Sequence, residues 1–165
     1  MTADLPTLNE WLGRPHVAEW WGAQQSLEEV EADYAPSIAN PTNHASYIAL
    51  LGDEPVGFIQ SYVPVAFHAE GWWLDEHDPG VRGTDQFLAN AGQLGQGVGS
   101  AMLRAFVARL FADPAVSRIQ TDPAPDNARA IRSYEKAGFR PAREVMTLDG
   151  PALLMYAERP IDAPA

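Results

Sequence analysis

The sequence contains no cysteine. Disulfides, thiolate zinc sites, iron–sulfur clusters and a cysteine nucleophile are therefore excluded. Positive charge is scarce: 11 Lys and Arg stand against 22 Asp and Glu, a formal net charge of -11. A nucleic-acid binder needs a cationic footprint to displace counterions from phosphates, and an anionic membrane surface repels this chain for the same reason. Long apolar runs are missing, since stretches such as Tyr47-Ile-Ala-Leu-Leu51 fall far short of a membrane span. Met1-Thr-Ala-Asp-Leu-Pro6 has neither the basic nor the apolar region of a secretory signal. The histidines, at 16, 44, 68 and 77, show no metal-ligand spacing. These absences predict a soluble, cytoplasmic protein, a monomer or weak homodimer, with no metal, nucleic acid or membrane among its partners.

What is present is a folding composition. The chain has 165 residues, 46% of them hydrophobic and 20% charged, which predicts one domain over 1–165. A chain of this size buries roughly 70% of its unfolded surface and needs no staples. Thr7 to Arg14 has helical character and is expected to stop at Pro15. Ser26 and Glu29 form a capping box ahead of the stripe Leu27, Val30 and Tyr34, and Pro36 is expected to end that helix. Ser46 to Leu51 and Val56 to Val65 read as strands of a hairpin around Gly52-Asp-Glu-Pro55. Phe67 to Thr84 has no period, and an irregular insertion of that length is more often functional than structural. Asp85 to Ala91 has strand character and leads into Gly95-Gln-Gly-Val-Gly99. Val98, Met102, Phe106, Val107, Leu110 and Phe111 then share one helix face. Val116 to Thr121 is a short strand candidate. Asp126 or Asn127 can cap a helix running to about Ala137, with Gly138 in the left-handed position after it. Arg143 to Leu148 and Ala152 to Ala157 flank Asp149-Gly150, a strong hairpin signal. Helices mixed with strands in this order predict an α/β (α+β) domain around one sheet.

Glycines between a strand and a helix start let the backbone approach a ligand, and the N–H groups at the helix start favour an anion. Two phosphate motifs do not fit. A P-loop ends in Gly-Lys-Ser/Thr and no Lys stands here, while the dinucleotide fingerprint lacks its third Gly. A tight loop without a ligand stays open on the glycines alone.

Two segments together carry more. Gln93-Leu-Gly-Gln-Gly-Val-Gly-Ser-Ala-Met102 resembles the pyrophosphate loop of the GCN5-related N-acetyltransferases (GNAT), and Asn127-Ala-Arg-Ala-Ile-Arg-Ser-Tyr-Glu-Lys-Ala-Gly-Phe139 is similar to their second signature. One position departs: three residues before Gly97 the usual Gln or Arg is Leu94, and a shifted frame reads Gln96-x-x-Gly99-x-Ala101. The resemblance implies a mixed, mostly antiparallel sheet with splayed central strands flanked by helices. It also implies acetyl-CoA as acetyl donor, held by Gln93, Leu94, Gly95, Gln96, Gly97, Val98, Gly99, Ser100, Asn127 and Tyr134. Asn127 also reads as a plain helix cap.

Glu19-Trp-Trp-Gly22, Gly71-Trp-Trp73, Asp78-Pro-Gly-Val-Arg-Gly83, Asp85-Gln86, Leu88-Ala-Asn-Ala91, Ile119-Gln-Thr-Asp-Pro123 and Asp149-Gly-Pro-Ala152 resemble the aminoglycoside 6′-N-acetyltransferases along nearly the whole chain. The implied substrate is a polycationic aminoglycoside, acetylated on its 6′-amine. The residues fit that chemistry independently. Several ammonium groups on hydroxylated rings call for carboxylates and flat aromatic surfaces, and Glu70, Asp75, Glu76, Asp78 and Asp85 surround Trp72 and Trp73. Neighbouring residues of a strand face opposite sides, so at least one Trp of each adjacent pair is open to expose its ring. Trp21, Glu70, Trp72, Trp73, Asp85, Asp122 and Asp149 are the candidate substrate ligands, although the Trp rings also read as core and Asp149 as turn chemistry.

Asp85, expected at the head of its strand, is the candidate that orients the amine or takes its proton. Tyr134 sits where the superfamily places the phenol that protonates the departing sulfur, and a backbone N–H of the 85–91 strand would polarise the carbonyl. With no cysteine, and with Ser100 on the glycine loop, direct transfer in a ternary complex is expected. The rival readings are a GNAT enzyme for another amine (polyamine, siderophore precursor or peptide N-terminus) and a non-catalytic acetyl-CoA sensor.

Overall fold

The computed structural model describes residues 2–22 and 24–160; of the expected domain 1–165, positions 1, 23 and 161–165 lie outside the described residues. The described residues divide into two compact units. One holds the chain up to Ser61 together with Gln86–Leu94, and the other holds Tyr62–Asp85 and the chain from Gly95 onward.

In the first unit, Leu5, Leu8, Trp11 and Leu12 put one apolar face on helix α1 (Leu5–Leu12). Pro15 does not simply end a helix. It opens a second one, α2 (Pro15–Trp21), where the N–H that proline lacks is not needed. The capping box forms as expected: Glu29 N donates to Ser26 Oγ at 3.3 Å and Ser26 N to Glu29 Oε2 at 2.7 Å. The helix it starts, α3 (Leu27–Ala39), runs through Pro36 and stops three residues later, where Asn40 N donates to the Pro36 carbonyl. Strands β1 (His44–Leu51) and β2 (Glu54–Tyr62) follow. Aromatic rings fill the core beneath them: Phe58 and Phe87 stack at 5.5 Å, with Trp11, Trp21 and Tyr34 edge-on to one or both. Gly57 has no alternative there, because a Cβ would lie 2.4 Å from the Phe87 carbonyl.

Strand β3 (Val81–Leu88) begins four residues before the expected Asp85. Asp85 is therefore mid-strand rather than at its head. In the second unit the first half of β3 pairs in parallel with β4 (Arg118–Thr121), from Val81↔Arg118 to Gly83↔Gln120. The pairing ends one residue before β4 does, β3 continues to Leu88, and the acidic residues Asp85 and Asp122 follow on the two strands. β4 pairs antiparallel with β6 (Gly150–Glu158), which pairs with β5 (Arg140–Thr147). The strand order is β1-β2-β3-β4-β6-β5, a mixed sheet in which β3 and β4 run parallel while β4–β6 and β6–β5 run antiparallel. Helices α4 (Val98–Phe111) and α5 (Ala128–Lys136) bury Leu103, Phe106 and Tyr134, and Ile119, Phe139, Leu154 and Met155 complete this unit's interior. Gly138, at φ 102, follows α5 as the sequence predicts. Among the described residues no helix is long and apolar enough to cross a membrane.

Candidate active site

Three carboxylates converge in the second unit from three separate elements. Asp85 comes from β3, Asp122 from the residue after β4, and Asp149 from the tip of the β5–β6 turn. The tip lies one residue earlier than expected: Thr147 pairs with Gly150, leaving Leu148 and Asp149 as the turn. Asp122 is half-buried, and its burial together with the charges of Asp85 and Asp149 raises its pKa to about 8. Like charges so close disfavour full ionisation, so near neutrality the group holds a proton that an incoming cation can replace.

Two tyrosines border these acids. Tyr134 is buried, its ring edge-on to Phe139 at 5.3 Å, and its side chain is hydrogen-bonded to Thr121. Burial, and then the Asp85 charge, hold its hydroxyl well above the ordinary tyrosine value, so it stays a phenol. Tyr62 lies over Gly83, where a Cβ would come within 2.0 Å of the ring, and its hydroxyl is hydrogen-bonded to the side chains of Trp73 and Gln120. Desolvation, then Asp85 and Asp122, raise this tyrosine as well. Tyr62, Gln120 and Thr121 were not among the residues picked from sequence. The available signal is period two in the strand: Gln120 and Asp122 share one face of the β4 chain and Thr121 takes the other.

Gln120 and Trp73 also wall a cavity of about 650 Å³, bounded on one side by Trp72 and Trp73 and on the other by the β5–β6 ribbon through Val145, Thr147 and Tyr156. Neither tryptophan pair lies on a strand, so alternation does not apply to them. Trp72 and Trp73 are both half-buried and both line this cavity, and Trp73 adopts a left-handed backbone, φ 51. That conformation costs a non-glycine residue about 1 kcal/mol or more. Trp21, in the first unit, packs edge-on against Phe58 at 5.8 Å and Phe87 at 5.0 Å. Trp20 is 40% exposed.

Two acids of the insertion are tied to their neighbours. Glu76 bonds Arg118 at 2.8 Å, and Arg118 in turn stacks on Tyr156 at 4.1 Å. Asp78 accepts from Ser117 and from Gly80 N, and the Ser117 bond, more than any other contact, lowers its pKa. These two hold the insertion in shape. Glu70 and Asp149 are exposed, and Asp85 and Asp122 half-buried.

The glycine loop leads into α4. Gly95 (φ 76) and Gly97 (φ 86) take left-handed backbones, and a Cβ on either would meet open space. It is backbone conformation, not crowding, that requires glycine at both. Gly97 is the N-cap of α4, no side chain caps the helix start, and no acid stands in its first turn. Val98 and Gly99 thus open a helix whose positive end suits a phosphate group. Leu94 closes a short 3-10 turn with Gln93, its N–H donating to the Ala91 carbonyl, and Gln96 is exposed. Ser100 is buried and its hydroxyl meets that of Ser133 at 3.2 Å, which leaves its backbone N–H as the group at the helix start. Asn127 caps α5, accepting from Ala130 N at 3.0 Å. An open glycine cradle beneath an uncapped helix end fits a pyrophosphate. Among the described residues no group of three or more His, Asp or Glu is placed to hold a metal ion.

A parallel strand pair, a glycine loop at a helix start and a buried tyrosine on the next helix define a class of acyl-transfer proteins, and the family model for the acetyltransferase (GNAT) domain matches residues 1–147. The chain belongs to the GNAT acetyltransferase family. It is 52% identical to an aminoglycoside N(6′)-acetyltransferase type 1 of Klebsiella pneumoniae, over 94% of this chain and 79% of that relative. Among solved structures it is similar to aminoglycoside acetyltransferase AAC(6′)-Ib in complex with coenzyme A and kanamycin, with 52% identity, a TM-score of 0.91 and coverage of 96% of this chain and 91% of that one. The same enzyme with paromomycin and acetyl-CoA gives 49% identity and a TM-score of 0.92, covering 100% and 96% of the two chains.

Proposed function

We propose that this protein is an acetyl-CoA-dependent aminoglycoside 6′-N-acetyltransferase that confers resistance by direct transfer of the acetyl group to the drug's 6′-amine. The observation that carries the reading is the convergence of Asp85, Asp122 and Asp149 next to a tryptophan-walled cavity. The likeness to kanamycin-binding and paromomycin-binding relatives supports it. Acetyl-CoA supplies the acetyl group as a thioester, its pyrophosphate held by backbone N–H groups of the 95–100 segment and its pantetheine near Asn127. Trp72, Trp73, Glu70, Asp122 and Asp149 take the sugar rings and their ammonium groups. Trp21 contributes through the core that its ring packs into.

Asp85 orients the reacting amine and accepts its proton, directly or through one water. Tyr134 gives a proton to the departing sulfur. The two roles are linked electrostatically. Negative charge on Asp85 opposes ionisation of Tyr134. Once Asp85 takes the amine's proton that opposition lapses, and the phenol becomes a better acid when the thiolate forms. The reading includes one catalytic domain over 1–165, cytoplasmic, acting as a monomer or weak homodimer without metal, nucleic acid or membrane partner.

The test is product analysis. Kanamycin incubated with acetyl-CoA and the protein is expected to gain one acetyl group, on the 6′-nitrogen by NMR. Asp85→Asn should slow the reaction at least about tenfold while acetyl-CoA still binds. Acetylation at another nitrogen, or an unaffected Asp85→Asn variant, contradicts the assignment.

A further inference from the structure

Trp73 is the non-glycine residue whose φ is positive among the described residues, and its strained turn has a visible support. Its carbonyl oxygen accepts two hydrogen bonds, from Glu76 N at 2.8 Å and from His68 Nε2 at 3.0 Å. A carbonyl only accepts, so the His68 Nε2 carries the proton. His68 lies in the 3-10 segment Pro64–Glu70, whose last turn is tied to the tryptophans by Gly71 N to the His68 carbonyl at 3.1 Å and Trp72 N to the Phe67 carbonyl at 3.2 Å. The His77 and His68 rings meet nearly perpendicular, with centroids 6.0 Å apart.

We infer that His68 is a positioning residue for substrate specificity: its imidazole fixes the left-handed turn at Trp73 and so keeps both Trp72 and Trp73 turned to the cavity. With an extended backbone at Trp73 the two rings would point to opposite sides, and one wall of the cavity would be lost. His68 itself touches no reacting atom. Its effect falls on the sugar-ring subsite and leaves the acetyl-CoA loop alone. The inference rests on the proposed aminoglycoside reading and deepens it.

The experiment compares wild type, His68→Phe and His68→Gln. Phe keeps the ring without the donor, and the Gln amide nitrogen has the reach of imidazole Nε2. Steady-state constants for kanamycin and acetyl-CoA are measured together with hydrogen exchange at the Glu76 amide. The expected result is a kanamycin KM raised about fivefold in His68→Phe, the worth of one net hydrogen bond. Turnover at saturation and the acetyl-CoA KM should hold, Glu76 should exchange faster, and His68→Gln should restore all of these. Unchanged kanamycin KM and unchanged exchange overturn the inference. So does a parallel collapse of kcat and both KM values, which marks a general loss of structure. If wild type leaves kanamycin unacetylated while His68→Phe still frees the Glu76 amide, the functional reading has failed and the specificity role falls with it, although the support of the turn stands.

Discussion

At the scale of single residues, the site is governed by where protons reside. Tyr134 is held as a phenol by burial and by the nearby acids, which keeps its proton available to donate. Tyr134→Phe is expected to cut turnover about 100-fold, within the range of general acid catalysis, while acetyl-CoA affinity measured by titration calorimetry is retained. Retained turnover would place the proton donor elsewhere. Asp122 makes a separate statement about stability. Its pKa rises from the ordinary 3.8 to about 8 on folding, so the folded state binds its proton more tightly than the unfolded chain does. Its contribution is most favourable below the unfolded value and is lost as pH rises through about 8. Asp122→Asn should therefore match the parent's Tm near pH 4, exceed it increasingly up to about pH 8, and keep a constant lead above that. A gap independent of pH would show that Asp122 ionises freely. Candidate acids were legible in the sequence, but their division of labour was not. Glu76 and Asp78 stand in the same acidic run as Asp85, and the folded positions of Arg118 and Ser117 assign them to the scaffold.

At the scale of elements, local chemistry predicted what local chemistry determines. The Ser26–Glu29 capping box, the left-handed Gly138 and the strand–glycine loop–helix sequence are set by residues a few positions apart. Other boundaries are set only in the folded chain. The first helix does end ahead of Pro15, at Leu12, and the sequence reading lacks only the second helix that Pro15 opens, since proline is compatible with a first helical position. The start of β3 is hidden in the sequence because Val81–Thr84 follows the turn residues Asp78-Pro-Gly80 and itself contains Gly83. Its pairing with β4 and the seating of Tyr62 on Gly83 are what make it a strand. The glycine loop carries its own prediction. Ala at position 97 must adopt φ 86 at a cost of about 1–2 kcal/mol, so Gly97→Ala should weaken acetyl-CoA binding about tenfold while kanamycin KM holds. An acetyl-CoA affinity that does not move would separate this loop from the donor site.

For the molecule as a whole, charge is the property that composition alone made plain. A net charge of -11 attracts a polycation from a distance, and salt screens that attraction. Between about 0.1 M and about 1 M salt the screening length falls from about 10 Å to about 3 Å, and the kanamycin KM is expected to rise steadily. A flat response would leave capture to short-range contacts alone. The fold class was also legible, since the alternation of helices and strands admits few arrangements. The cavity was not: its walls come from the 71–76 insertion and the β5–β6 ribbon, about 70 residues apart in the chain, and no periodicity links them. The central claim is that the protein acetylates a 6′-amine of an aminoglycoside. The most direct measurement is thiol release from acetyl-CoA by purified protein with kanamycin, with paromomycin, which has a hydroxyl in place of the 6′-amine, and with spermidine. Rapid release with kanamycin and little with the other two is the predicted result; release with spermidine alone, or with none of the three despite acetyl-CoA binding, would contradict it.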